Sequence, residues 1–247
     1  MELPWQSVKR QTDTFVDRVK DQLGSIVMVV LALWAVYGLD FIFYFFSFDF
    51  RDWFALQPRK LVGLHGILTM PFVHANLGHL IGNTIGLIFA LLALAVLRPK
   101  SWMRVLGSVF LLSGVLTWLV GGLGANTRIV GASGVIMGLI TFLVAPVVLW
   151  IGWWIYNKVT KQQKKFPLEI QLIPFAVGVV ASVFYFQHLI GNLVPIPGVT
   201  TGGNTSWSAH WCGAIAGLAV AFMFLKNDEL DEINDAKQPD ISSKSFT

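Results

Sequence analysis

The chain has 247 residues, 55% of them hydrophobic and 13% charged, with a mean hydropathy of +0.64. Soluble domains carry about 25% charged residues, so a water-soluble enzyme is excluded. The net charge of +4 comes without an interleaved basic–aromatic patch, which excludes nucleic acid as a partner, and the single cysteine, Cys212, excludes an internal disulfide.

Residues 1–23 are polar and contain no short apolar stretch ending at a small-residue cleavage site, so they read as a cytoplasmic N-terminal segment rather than a signal peptide. Six apolar runs follow, at about 24–47, 77–97, 103–123, 133–155, 171–191 and 208–225. Each has roughly the 20 residues needed to span a hydrocarbon core of about 30 Å. Lys and Arg set the orientation. Lys9, Arg10, Arg18 and Lys20 precede the first run, Arg98, Lys100 and Arg104 lie between the second and third, and Lys158, Lys161, Lys164 and Lys165 lie between the fourth and fifth. The connections on the opposite side are poor in basic residues, except that the long 1–2 connection carries Arg51, Arg59 and Lys60. That connection is also rich in Trp53, Phe54, Leu56, Leu61, Val62 and Leu64, as expected of a segment lying in the interface. Trp150, Trp153, Trp154 and Tyr156 read as an inner aromatic belt. The expected architecture is an all-α membrane protein, a single six-span bundle over 24–226 with both termini cytoplasmic, followed by a disordered acidic tail at 227–247.

Polar groups inside spans are costly and mark candidate functional sites. Here they are Asp40, His79, Asn83, Ser133, His188 and His210, with His74 just ahead of the second run and Asn76 as its N-cap. His79 and Asn83, four apart, share a helix face. Ser133 opens the fourth run and His210 lies near the start of the sixth, so three spans bring amide, imidazole and hydroxyl to one shallow layer on the outer side. Gly134 and Gly138, and likewise Gly213 and Gly217, are spaced to let two membrane helices approach closely. A serine brought within about 2.6–3.2 Å of an imidazole becomes a usable nucleophile. Donors are then needed for the oxyanion. Asn83, His79 and the Ser133 backbone N–H, at a positive helix end, could supply them.

Three stretches together, H74-ANLG-H79-LIG-N83, G131-A-S133-G134 and A209-H210-WC-G213-AIA-G217, resemble the rhomboid intramembrane serine proteases over roughly residues 24–226. The resemblance implies a catalytic pair of Ser133 and His210, an oxyanion site of His79, Asn83 and the Ser133 amide, and support from His74, Gly131, Gly134, Gly213 and Gly217. It also implies single-span membrane proteins as substrates, cut in or just outside the bilayer, and no cofactor. The expected location is a multi-pass position in the plasma (bacterial inner) membrane. Phe184, Tyr185 and Phe186 would flank lateral access, with 191–206 as a lid. Met137 stands where the family often has a tyrosine, and QPRKLVGLHG lacks a clear Trp-Arg pair.

Other readings stand beside this one. Ser133 could be only a helix cap and His210 only an interhelical contact. The whole chain could be a catalytically silent relative that binds membrane clients, although that role requires neither residue. A small transporter would place its polar groups near the midplane. A metal site at His74 and His79 is rejected, because the i, i+5 spacing shares no face and no acidic partner accompanies it. His65 and His188 are expected to have no catalytic role, and Asp40 reads as a bundle-facing polar residue.

Overall fold

A computed structural model describes residues 4–98, 101–122, 128–161 and 207–237. Within these the chain is helical, with one isolated β-bridge and no strand. Helix α1 (Pro4–Tyr44) leads into a connection made of α2 (Phe50–Phe54), a 3₁₀ turn at Leu61–Gly63, α3 (Gly66–Thr69) and a second 3₁₀ turn at Met70–Phe72. Four long helices follow: α4 (Leu77–Leu97), α5 (Trp102–Val120), α6 (Ser133–Thr160) and α7 (Trp207–Lys237).

Among the described residues, five stretches are long and apolar enough to cross a membrane: Gln22–Tyr44, Leu77–Leu97, Trp102–Val120, Ser133–Thr160 and Trp207–Phe224. They match five of the six expected runs to within a few residues. The remaining run, 171–191, lies outside the described residues, as do His188, Phe184, Tyr185, Phe186 and 191–206. Two ends differ from expectation. Helix α1 begins at Pro4, well ahead of the apolar run. Helix α7 continues to Lys237, where 227–247 was expected to be disordered. Hydropathy finds the membrane portion of a helix, not its end, and neither flank contains a glycine or an internal proline to stop it.

Asn76 caps α4, its side chain accepting from the His79 amide at 2.9 Å. Helix α1 leans on α4, where the Trp34 indole N–H donates to Thr84 Oγ1 at 3.0 Å, and the Trp102 indole N–H donates to Gln22 at the other end. The core is built from Leu80, Leu87, Leu91 and Leu94 of α4, Val105 and Val109 of α5, Ile136, Leu139 and Leu143 of α6, and Val220 of α7. Helix α6 is the most enclosed span and α1 the least.

Helices α6 and α7 run parallel in close contact. A Cβ on Gly213 would collide with the Gly134 carbonyl oxygen, and one on Gly217 with that of Gly138. A Cβ on Gly134 would lie 3.0 Å from the Ala209 carbonyl oxygen. Glycine alone permits this approach, in which the gain is van der Waals packing and Cα–H···O contact rather than water exclusion. The starts of α4, α6 and α7 therefore meet at one end of the bundle.

Candidate active site

That end holds the candidate site. Ser133 is the first residue of α6, the N-cap position is Ala132, and no side chain caps this helix. The Ser133 hydroxyl is therefore not the cap. Its Oγ lies 2.8 Å from His210 Nε2, with the imidazole fully buried and the serine half-buried. With the ring proton on Nδ1, Nε2 accepts the hydroxyl proton, the arrangement that activates an alcohol.

His79 and Asn83 project from the first turns of α4 against the turn that leads into Ser133. Gly131 in that turn has φ +104, and a Cβ there would stand 2.7 Å from His79 Nε2 and 3.1 Å from Asn83 Nδ2. Asn83 is buried, and its Nδ2 has no hydrogen-bond partner among the described residues. A buried donor without a partner is costly, and this one faces Gly131, two residues ahead of Ser133. His79, Asn83, Gly131, Ser133 and His210 are thus brought together. Gly134, Gly213 and Gly217 form the helix contact beneath them.

His74 sits just ahead of α4 and is 2% exposed. Its Nδ1–H donates to the Phe72 carbonyl at 3.2 Å, its Nε2 has no hydrogen-bond partner among the described residues, and its ring meets His79 edge-on at 5.2 Å between centroids. Burial, reinforced by the neighbouring His79, pushes its pKa down to about 4. His74 is therefore neutral at pH 7, and it links the 1–2 connection to the head of α4.

Several residues escape a reading of the sequence. Leu56 and Ile129 exchange backbone hydrogen bonds at 3.0 and 2.9 Å, and the Gly131 amide donates to Met70 O at 2.8 Å. The turn before Ser133 is thus held from outside by the 1–2 connection. Leu56, Met70, Ile129 and Ala209 pack together beneath it. Arg128 pairs with Asp52, tying the same segment to α2. Arg59 lies at the C-terminal end of α5 and Ser208 at the start of α7. Contacts of this kind join segments far apart in sequence and leave no periodic signal. Asp40 is half-buried and accepts from the Phe50 amide at 3.0 Å, so it anchors the entrance to α2. His65 contacts the Trp53 carbonyl, away from the serine. Met137 is buried on α6.

Comparison with known proteins adds the lineage. A family model described as the Rhomboid domain matches residues 62–227. An uncharacterized protein of Mycobacterium tuberculosis is 32% identical over 174 residues, covering 68% of this chain and 62% of the relative. An uncharacterized protein of Mycobacterium leprae is 34% identical over 165 residues, covering 65% and 56%. The chain thus spans less than two thirds of the length of these relatives.

Proposed function

Because this chain belongs to the rhomboid family, we propose that it is an intramembrane serine endopeptidase that uses Ser133 as nucleophile and His210 as general base. The observation that carries the proposal is the 2.8 Å contact between Ser133 Oγ and His210 Nε2, made between the starts of two apolar spans. In this reading Ser133 Oγ attacks the scissile carbonyl while its proton passes to His210 Nε2. The resulting oxyanion is met by Asn83 Nδ2, the His79 ring N–H and the Ser133 amide, each loss of such a donor being worth about 10²–10³ in rate. The imidazolium then protonates the departing amine, leaving an acyl-enzyme. A water molecule, deprotonated by the same histidine, releases the second product and restores the hydroxyl. Spans α4, α6 and the membrane portion of α7 contain no Asp or Glu, so the catalytic unit is a pair rather than a triad.

The substrates would be single-span membrane proteins that reach the site laterally. The N-terminal and C-terminal ends of the chain would be cytoplasmic, with the catalytic end on the opposite face of a bacterial inner membrane. Purified protein in lipid should cleave members of a panel of single-span substrates and should be labelled by a fluorophosphonate. Both activities should drop by at least about 10³-fold in Ser133→Ala and His210→Ala. Cleavage that survives Ser133→Ala would overturn the mechanism. A wild type that binds single-span clients yet neither cuts nor labels would instead make it a client-binding relative.

A further inference from the structure

We infer that Arg59 is a positioning residue for His210, acting through the turn at the end of α5 and through Ser208. The inference rests on the protease reading above. Helix α5 ends at Val120, where its last carbonyls have no intrahelical partner. Arg59 meets them from the 1–2 connection. Its Nη1 donates to Gly121 O at 2.7 Å and reaches Leu119 O at 3.5 Å, while Nη2 reaches Gly122 O at 3.4 Å. The Arg59 amide donates to Trp118 O at 2.9 Å, and the Trp118 indole N–H returns a bond to Lys60 O at 3.1 Å. A guanidinium suits this place twice over, being a cation at the negative end of a helix and a planar fork facing several carbonyls. Arg59 adopts φ +58 to reach it.

The turn held in this way does one further thing. Gly122, at φ +56, directs its N–H to Ser208 Oγ at 3.1 Å. Ser208 lies in the first turn of α7, two residues ahead of His210. At 100° per residue the two side chains leave the helix on nearly opposite faces. Ser208 is fixed to the end of α5 while His210 faces Ser133 on α6, so the first turn of α7 is held from both sides. This bears on rate because the first amides of a helix have no intrahelical acceptor, so the placement of this turn rests on contacts such as those of Ser208 with Gly122, Ala209 with Gly134 and His210 with Ser133. Misplacing a catalytic group by about 1 Å can lower the rate about 10²-fold. Arg59 thus sets the rotation of the α7 start, and with it the line from Nε2 to the serine hydroxyl.

The test uses the full chain in lipid, with Ser208→Ala, Ser208→Thr, Arg59→Lys, Arg59→Ala and the Arg59→Ala/Ser208→Ala double variant. Cleavage constants, the fluorophosphonate labelling rate of Ser133 and the thermal midpoint are measured for each. In Ser208→Ala and Arg59→Ala, kcat and the labelling rate should fall about tenfold while KM stays within about twofold. Ser208→Thr, which keeps the hydroxyl, should restore both. Arg59→Lys should restore them only in part, because it keeps the charge and loses the fork. The double variant should be no slower than the worse single, because both substitutions break the same chain of contacts. Additive losses, a change carried by KM, or a labelling rate that follows the thermal midpoint alone would overturn the inference. A wild type silent in both assays would overturn the protease reading and this inference with it, an outcome recognised by Ser133→Ala behaving like the parent.

Discussion

At the scale of single residues, what distinguishes Ser133 is where its hydroxyl goes. A serine at a helix start ordinarily bonds back to its own backbone, whereas here Oγ points across to His210 on another helix. Gly131 is the residue that makes room for the opposite wall. Its φ of +104 places the Cα against His79 and Asn83. Gly131→Ala should lower stability by about 1–2 kcal/mol from the backbone strain. The same methyl would push His79 and Asn83 off the oxyanion position proposed for them, so cleavage should fall about 10²-fold or more. Thermal melts beside single-turnover cleavage separate the two effects, and a rate loss no larger than the stability change explains would remove the oxyanion role. His74 gives a pH dependence of known sign. Its pKa is lowered to about 4 from 6.5 by burial, so between those values the unfolded chain binds a proton that the folded chain refuses. Stability from the neutral ring is complete above pH 6.5 and is lost as the pH falls toward 4. The thermal midpoint of the wild type should therefore decline over that window more steeply than that of His74→Asn, and equal slopes would assign the acid sensitivity elsewhere.

At the scale of elements, the α6–α7 contact decides whether the proposed Ser133–His210 pair can form at all. Because Gly213 abuts the Gly134 carbonyl, Gly213→Val should force the helices apart, with a loss of about 1–3 kcal/mol or more from overpacking. Fluorophosphonate labelling of Ser133 should vanish with it. Ile215, 54% exposed on the same helix, is the control, and Ile215→Val should leave both readouts unchanged. Much of this contact was legible in the sequence, because small residues four apart are a local, periodic signal that states which helix face will be approached. The His79–Asn83 face and the Asn76 cap were legible for the same reason. The brace around the Ser133 turn was not. Leu56 and Ile129 pair through their backbones, so nothing in the side chains marks them, and Arg59 reads only as one more charge on the outer side until α5 is seen to end beneath it.

At the scale of the whole molecule, the boundaries of the five described spans were legible because hydropathy reports directly on burial in lipid. The reach of α1 and α7 beyond the apolar runs was not, because polar residues without Gly or Pro are equally content in helix or coil. Helix direction leads to a final prediction. Helices α6 and α7 both start at the end that holds the candidate site, as the Ser133–His210 and Gly138–Gly217 contacts require. Helix α6 has 28 residues, which at 1.5 Å each carry the chain about 40 Å away from that end. Thr160 and Trp207 thus lie at opposite ends of the bundle, and the residues that join them, with the run expected at 171–191, lie outside the described residues. In lipid a crossing segment has to satisfy its own backbone hydrogen bonds, and within that interval the run at 171–191 has the length and apolar composition for a helix. The prediction is a total of six crossings, an even number, with both termini on one side. Lys158, Lys161, Lys164 and Lys165 predict that this side is the cytoplasm. A fluorescent protein that folds only in the cytoplasm should therefore light up when fused to either terminus. In a Cys212→Ser background, Gly202→Cys should react with an impermeant thiol reagent added outside intact cells. Fluorescence at only one terminus would mean an odd number of crossings, and protection of position 202 would place the start of α7, and the catalytic end with it, on the inner face.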